Sequence, residues 1–211
     1  MPCSISFLSQ NNMPDHDKKC KKEFKSDLLS DPHIVHKWFP SFLRSRNSWQ
    51  ILSGSWQIKS SNRIVYLKEP KVKTGENFSV TGSKSWANFK FQIRFKILTK
   101  SIKPPEGGVI LYFLFNSMKS FYSLHCCIYK QKIELIKRFR GIWSTLAGYN
   151  HCLEINKYYC VTINTNANVH QCIINGTKII QTYDAGISSG CIGIGVKYCD
   201  VEFDHASISF L

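Results

Sequence analysis

Apolar and polar side chains alternate along much of the chain after Trp49, and this period of two restricts the fold more than any other feature. The clearest case is NFKFQIRFKIL (88–98), in which Phe or Ile at positions 89, 91, 93, 95 and 97 alternates with Lys, Gln or Arg at positions 90, 92, 94 and 96. Such alternation is typical of a strand with one face toward a core. No helical pattern of useful length occurs after residue 50. The sequence therefore predicts an all-β domain.

Ten further strand-like segments are separated by turn-forming residues. They are SWQIKS, RIVYLKE, GGVILYFLFN, YSLHCCIYK, QKIELIKRF, YYCVTINTN, VHQCIING, TKIIQTY, GCIGIGVKY and DVEFDHASIS. So many strands predict two antiparallel sheets packed as a β-sandwich, with the Phe and Ile side of 88–98 in the core. GGVILYFLFN is apolar on both sides, which predicts a central strand whose second face lies under a loop or lines part of a groove. Asn175-Gly176 predicts a type I′ hairpin turn.

The first 30 residues are polar, charged and aperiodic, so we interpret residues 1–30 as a flexible leader, mostly irregular, and residues 31–211 as the sandwich domain. The N-terminus lacks the pattern of a secretory signal, and no apolar run is long enough to span a membrane. The nine cysteines are an odd number without a CxxC pair. This usage favours reduced core thiols and a cytoplasmic location.

The chain is strongly basic, with 28 Lys and Arg against 14 Asp and Glu and a formal charge of +14. Only KKCKKEFK (18–25) forms a cluster, and the other basic residues fall mostly singly on strand-like segments. No recognition helix, RNP-like run or zinc-finger spacing accompanies them, so a nucleic-acid partner is disfavoured. A generally basic, solvated surface is the favoured interpretation, and a polyanionic partner such as an acidic polysaccharide is the alternative.

Near the C-terminus the chain contains, in this order, Asn175-Gly176, Asp184, Gly190, Gly193 and EFD at Glu202–Asp204. This order of motifs resembles the C-terminal half of concanavalin A-like jelly rolls, especially the laminin-G-like and 3-keto-disaccharide-hydrolase-like branch. The resemblance covers about residues 45–210 and implies a jelly-roll fold and a function involving carbohydrate. Members of this group are often exported, so export is not excluded.

Paired carboxylates, which glycosidases need, are not evident in the sequence. The catalytic glucanases of this superfamily carry an E-x-D-x-x-E-like cluster, and here Glu106 is the sole acidic residue between Asn77 and Gln131. Glu134 and Glu154 are isolated acids, interpreted as solvated surface residues. His125 and Cys127 share one face of a predicted strand, and Cys126 lies on the other. A buried thiol beside a histidine at the rim is favoured over a nucleophile or ligand pair. The sequence therefore leans away from an enzyme.

A carbohydrate site would combine an aromatic platform with planar polar side chains on one outer face of the sandwich. The polar side of 88–98 could supply two such residues, and other strands three more. The alternative is a solvated face together with core aromatics. Trp49, Trp56 and Trp86 are interpreted as packing anchors. The candidate carbohydrate-binding residues are Gln92, Arg94, Tyr112, His125 and Trp143.

The resemblance also implies a structural Ca²⁺, since many jelly rolls of this type hold one near the two chain ends. Asp204 would be one ligand and Asp31 its partner from the entering arm. The alternative for Asp204 is a carboxylate that accepts backbone hydrogen bonds at a strand end.

Three functions are consistent with these observations. The first is a non-catalytic, lectin-like carbohydrate-recognition module for a glycan or polysaccharide, neutral or acidic. The second is a protein-interaction or structural jelly roll, whose partner would meet an exposed apolar patch. The third is a sugar-cleaving enzyme, in which Glu106, Glu134, Glu154 or Asp184 would be essential.

Overall fold

The protein is described here as a computed structural model, which covers residues 36–38, 49–54, 56–60, 63–66, 76–100 and 107–211. The predicted leader, residues 1–30, and Asp31 lie outside these ranges. Regular structure within them consists of strands in the order β1 (His36–Trp38), β2 (Gln50–Ile51), β3 (Trp56–Ser60), β4 (Arg63–Tyr66), β5 (Glu76–Thr81), β6 (Phe89–Lys100), β7 (Gly108–Ser117), β8 (Ser120–Cys127), β9 (Lys132–Phe139), β10 (Ile142–Asn150), β11 (Tyr158–Asn166), β12 (Val169–Ile174), β13 (Thr177–Tyr183), β14 (Cys191–Lys197) and β15 (Cys199–Phe210).

Two antiparallel sheets contain these strands. The eight-stranded sheet has the order β13-β12-β11-β6-β15-β4-β3, with β1 paired to β15. The seven-stranded sheet has the order β10-β9-β8-β7-β14-β5-β2. The predicted all-β sandwich is therefore confirmed. Within the ranges given above, no helix has the length and apolarity that a membrane span requires.

The apolar side of β6 fills the middle of the core, as the alternation predicted. β6 lies between β11 and β15 in the eight-stranded sheet. Phe95 stacks on Tyr159 of β11, with ring centroids 5.6 Å apart, and also contacts Phe203 of β15. Burial of each such side chain contributes about 1.5–3 kcal/mol. The five buried residues, each 0–1% exposed, are Phe89, Phe91, Ile93, Phe95 and Ile97.

β7 is central in the seven-stranded sheet and buried on both faces, which confirms the prediction from GGVILYFLFN. Val109, Leu111 and Phe113 belong to the core between the sheets. Ile110 and Tyr112 point to the other side and join a second apolar group on the outer face of the sheet. This outer cluster consists of Phe78, Val80, Ile110, Tyr112, Phe115, Phe121 and Cys191.

The β12–β13 hairpin has the predicted turn. Asn175 and Gly176 have φ angles of 49° and 80°, as a type I′ turn requires at both central positions. The three tryptophans interpreted as anchors also pack on the core: Trp49 is 7% exposed, Trp56 contacts Phe203, and Trp86 contacts Phe210.

The cysteine prediction is confirmed in part. Cys126, Cys127, Cys172, Cys191 and Cys199 are buried free thiols, and Cys152 is an exposed one, whereas Cys160 is disulfide-bonded. Cys126 and Cys172 belong to the core between the sheets. Burial raises the pKa of both thiols, that of Cys172 to about 12, so they act as small apolar side chains.

A polar contact joins the two sheets at one edge of the sandwich. Tyr122 of β8 and Lys137 of β9 both donate hydrogen bonds to the Asp184 carboxylate, which follows β13. His170 of β12 packs on the Tyr122 ring with centroids 4.5 Å apart. We call these four residues the edge clamp. It fixes the segment after β13, because Ile187 N–H donates to the Tyr122 hydroxyl at 3.2 Å.

The edge clamp holds His170 as a neutral imidazole. His170 Nε2 lies 3.2 Å from the Asp184 carbonyl oxygen, and its Nδ1 lies 3.1 Å from the Thr165 hydroxyl. A carbonyl oxygen only accepts, so Nε2 carries the proton and Nδ1 accepts from Thr165. The ring is fully buried, and burial lowers the pKa of His170 because it disfavours the charged form.

We expect the protein to lose stability as the pH falls below about 6.5, because the unfolded chain then protonates His170, whereas the lowered pKa of His170 delays its protonation in the folded chain to lower pH. In His170→Gln, the slope of unfolding free energy against pH between pH 7 and 5 should fall by up to about 1.4 kcal/mol per pH unit. Urea unfolding at several pH values measures this slope. A His170 ring that titrates near 6.5 by NMR in the folded protein would contradict it.

Candidate functional site

A groove of about 270 Å³ lies on the outer face of the seven-stranded sheet. Strand register fixes its layout, because residues paired across β14, β7, β8 and β9 form rows that cross the sheet. The first row consists of Lys197, Gly108, Cys127 and Lys132. Lys130, in the turn between β8 and β9, lines the groove beside this row. We call this part the lysine end.

Polar and apolar side chains meet in the middle of the groove. Ile110, His125 and Glu134 are paired across β7, β8 and β9 and form the second row. Ile136 lines the groove one row further and is paired with the fully buried Ser123. The apolar floor thus carries a few polar groups, which is the usual composition of a small-molecule site.

Trp143 of β10 forms the opposite end of the groove, which we call the tryptophan end. It is 50% exposed and packs edge-on against Phe121 of the outer cluster, with ring centroids 5.6 Å apart. The Arg138 guanidinium lies over the indole, 4.8 Å from the ring centroid. Phe121 and Cys127 are six residues apart on β8, so the two ends are separated by about 20 Å.

Glu134 is the sole carboxylate among the described residues that line the groove. Its Oε1 lies 2.7 Å from Lys132 Nζ, and its side chain is 21% exposed. The interpretation of Glu134 as an ordinary solvated acid therefore needs correction, because β9 pairs it with His125 inside a concave surface. Glu154, by contrast, is 57% exposed and pairs with Lys157.

The structure does not bring the five predicted carbohydrate-binding residues together. His125 and Trp143 both line the groove. Tyr112 lies on the same side of the sheet but is fully buried in the outer cluster, between Phe78 and Phe121. Gln92 and Arg94 belong to β6, which is in the other sheet, so they lie on the opposite outer face.

Arg94 is also not solvated, although its side of β6 points away from the core. It is 3% exposed and donates two hydrogen bonds to Asp204, from Nε at 2.7 Å and from Nη2 at 2.6 Å. The Tyr158 ring covers the guanidinium at 4.2 Å, and the Tyr158 hydroxyl donates to Glu202. Charged groups stay buried when such bonds replace water. The middle of the predicted polar row, Gln92 and Arg94, is therefore part of a closed polar layer.

Asp204 is the other half of this layer. Burial alone would raise the pKa of Asp204, but the hydrogen bonds and charges of Arg94 and His205 outweigh burial and hold it below its usual value. The carboxylate is thus ionised and contacts two protein partners, Arg94 and His205.

The implied Ca²⁺ site at Asp204 does not fit these contacts. Both carboxylate oxygens accept from Arg94, whose positive charge takes the place that a cation would need. No group of three or more His, Cys, Asp or Glu residues suited to a metal occurs in the described part of the chain. Asp31, the second implied ligand, lies outside that part.

The groove includes residues that the sequence analysis did not select. Lys130, Lys197, Ile110 and Ile136 line it, together with Gly107 and Gly108. Gly107 is packed tightly, since a Cβ there would come within 2.3 Å of the Tyr129 ring. Alternation can assign a strand residue to a face, but it does not give the pairing of β14, β7, β8 and β9, which creates the rows.

Several solved structures share this architecture. CBM66, a carbohydrate-binding module from Bacillus subtilis, matches with a TM-score of 0.64 and 18% identity over 76% of this chain and 94% of that one. The Ca²⁺-bound exoplasmic/lumenal domain of VIP36 matches with 0.63 and 12%, over 86% and 93%. A variant of the GH43 protein BlXynB from Bacillus licheniformis matches with 0.54 and 12%, over 77% of this chain and 37% of that one.

The fold is a concanavalin A-like jelly roll. The jelly-roll fold implied by the sequence resemblance is thereby confirmed. At these identities the likeness concerns architecture alone. Neither a protein-family model nor a curated protein sequence matches the chain.

We expect Asp204→Asn to lower the free energy of unfolding by about 3–5 kcal/mol, because it leaves the Arg94 charge buried without its carboxylate. Glu154→Gln, which breaks an exposed pair with Lys157, should cost at most about 1 kcal/mol and serves as the control. Urea unfolding at neutral pH compares the two variants with the parent protein. Equal losses in both variants would contradict the assigned role of the buried pair.

Proposed function

We propose that this protein is a non-catalytic carbohydrate-recognition module and that the groove on the seven-stranded sheet is its binding site. The observation that carries the proposal is the half-exposed Trp143 at one end of a groove that also presents His125 and Glu134. An indole offers a flat apolar surface to the C–H face of a pyranose ring, and His and Glu can hydrogen-bond its hydroxyls.

Packing around Trp143 favours this role. The indole makes a T-shaped contact with Phe121, which is fully buried, so this contact restrains the orientation of the ring. A ligand that stacks on a held ring loses less conformational entropy on binding than one that must order a mobile side chain. Ile110 and Ile136 give the remaining floor an apolar character that suits the C–H groups of a sugar.

The likeness to solved structures also supports a carbohydrate-recognition function. CBM66 is named as a carbohydrate-binding module, and the VIP36 domain has also been solved with Ca²⁺ and Man2 bound. These ligands belong to those proteins. They support a carbohydrate ligand here because the groove adds its own aromatic and polar groups to the shared architecture.

A glycoside-cleaving enzyme is the second candidate, since BlXynB is a GH43 protein that shares the fold over part of its length. Glycosidases generally need two carboxyl groups about 5–10 Å apart. Glu134 is the one carboxylate among the described lining residues, and its Oε1 is engaged by Lys132 Nζ at 2.7 Å. A recognition role accounts for this composition better than a catalytic one.

We expect Trp143→Ala to weaken glycan binding at least about tenfold, because it removes the stacking platform. A glycan array of neutral and acidic oligosaccharides, run with the full chain, would identify the ligand, and calorimetry would give its affinity. Tyr183→Ala is the control, since Tyr183 is 70% exposed on β13 of the other sheet. Binding that survives in Trp143→Ala and fails in Tyr183→Ala would place the site elsewhere.

We expect the protein to leave its array ligands uncleaved, as measured by the release of new reducing ends over a day. Glu134→Gln should retain the fold and weaken binding without affecting turnover, because there is none to lose. Cleavage by the parent protein that disappears in Glu134→Gln would overturn the non-catalytic proposal in favour of the enzyme.

A further inference from the structure

We infer that two neighbouring hairpin turns of the seven-stranded sheet form a docking surface for an anionic lipid bilayer. The turns are Met118-Lys119, between β7 and β8, and Arg140-Gly141, between β9 and β10. We call these four residues and Ile142 the double turn. None of the five lines the groove, so this inference is independent of the proposed function.

Hydrogen bonds hold the two turns side by side. Each turn consists of two residues between paired strands. Arg140 and Gly141 have φ angles of 52° and 89°, as a type I′ turn requires. The Gly141 N–H donates to the Lys119 carbonyl oxygen at 2.9 Å, and the Arg140 N–H donates to the Ser120 hydroxyl at 3.4 Å. The double turn is therefore one unit at the end of the sheet.

Large apolar side chains of the double turn are exposed to water. Ile142 is 72% exposed, more than any other large apolar side chain among the described residues, and Met118 is 42% exposed. Trp143, next to Ile142 in the chain, is 50% exposed. Exposed apolar groups that lie together are typical of a surface that a partner covers. At a membrane, such side chains enter the boundary between the lipid headgroups and the acyl chains, where tryptophan is also favoured.

Three cations accompany these apolar side chains. Lys119 and Arg140 are exposed residues of the double turn, and Arg138 precedes Arg140 by two residues on β9. The Arg138 guanidinium lies 4.8 Å from the centroid of the Trp143 ring. Within the part of the chain that the structure describes, no carboxylate forms an ion pair with any of these three cations. Their charges are therefore available to an external anion.

The acids that lie closest along the neighbouring strands already have partners. Glu134 is the sole acid in segment 107–153, and its Oε1 lies 2.7 Å from Lys132 Nζ. Asp184 accepts a hydrogen bond from Lys137 at 2.6 Å. Anionic lipid headgroups attract Lys and Arg residues that approach the membrane surface. An anionic bilayer thus complements both the charges and the apolar side chains of the double turn.

The small size of this surface favours a bilayer over a protein partner. A stable protein interface usually buries about 800 Å² on each side, which is far more than two short turns present. A bilayer needs no matching shape, since a few side chains can enter it while the cations remain at the headgroups. Trp143 borders both the double turn and the groove, so the tryptophan end of the groove would open beside the lipid headgroups.

The test is co-sedimentation of the full chain with vesicles at about 0.15 M salt, where long-range attraction is largely screened. One kind of vesicle contains phosphatidylcholine alone, and the other also contains about one-third phosphatidylserine. We expect partitioning to be at least about tenfold stronger onto the anionic vesicles. The double variants Met118→Ser/Ile142→Ser and Lys119→Gln/Arg140→Asn should each lower that partitioning at least about tenfold. Asn is chosen at position 140 because it tolerates a positive φ.

Two controls match these variants on the eight-stranded sheet. Lys59→Gln/Lys178→Gln removes two charges from exposed positions, and Tyr183→Ala removes an apolar side chain that is 70% exposed. Partitioning of both controls should stay within about threefold of the parent protein, because these residues lie away from the double turn.

Equal losses in Lys119→Gln/Arg140→Asn and its charge control would show that only the overall charge matters and would overturn the inference. Full vesicle binding by Met118→Ser/Ile142→Ser, or no vesicle binding by the parent protein, would also overturn it. A dimer of the parent protein in sedimentation velocity that Met118→Ser/Ile142→Ser dissociates, without vesicle binding, would assign the surface to a second copy of the chain instead. None of these variants changes a groove residue, so the glycan array decides the proposed function separately.

Discussion

The contact between the two sheets depends on one strand. β6 presents five apolar side chains to the core at every second position, and its neighbours β11 and β15 add Tyr159 and Phe203 around Phe95. Replacing a buried phenylalanine by alanine typically costs about 3–5 kcal/mol, which is a large part of the net stability of most domains. Because β6 pairs with β15 over nearly its whole length, this packing also positions the C-terminal strand. The five core residues are Phe89, Phe91, Ile93, Phe95 and Ile97.

The two outer faces of the sandwich differ in what they can offer a ligand, because their polar residues have different hydrogen-bond partners. On the eight-stranded sheet, Arg94 and Asp204 satisfy each other within the protein, under the ring of Tyr158. These two charges therefore lie in a closed layer and are not available to a ligand. On the seven-stranded sheet, the outer cluster buries part of the face, and the remainder stays concave, with Trp143 half exposed. Alternation of polar and apolar residues produces an outer face on each sheet. The two faces differ because different strands pair in the two sheets.

Much of the fold could be predicted from local pattern. Alternation identified β6 and the faces of β8, and the positive-φ pair Asn175-Gly176 fixed one hairpin. Strand β5 was missed because Ser79, rather than an apolar residue, occupies its inner side and is satisfied by the Gln50 carbonyl. The site was predictable only in part, since a pattern assigns a side chain to a face but not a strand to a sheet. Arg94 illustrates the limit: its burial depends on Asp204, 110 residues further along the chain.

In the rows of the groove, ligand preference depends on the side chains, whereas folding depends on the backbone pairing and on the core side of the sheet. Their members are held by ladder hydrogen bonds between neighbouring strands, so their spacing depends on the backbone and not on which side chains occupy them. Exchanges at Lys197, His125 or Glu134 would change the chemistry that the groove presents while the core on the other side of the sheet stays as it is. A few codon changes at these positions could therefore give the protein a new ligand specificity. The same positions are suited to randomisation in an engineered library.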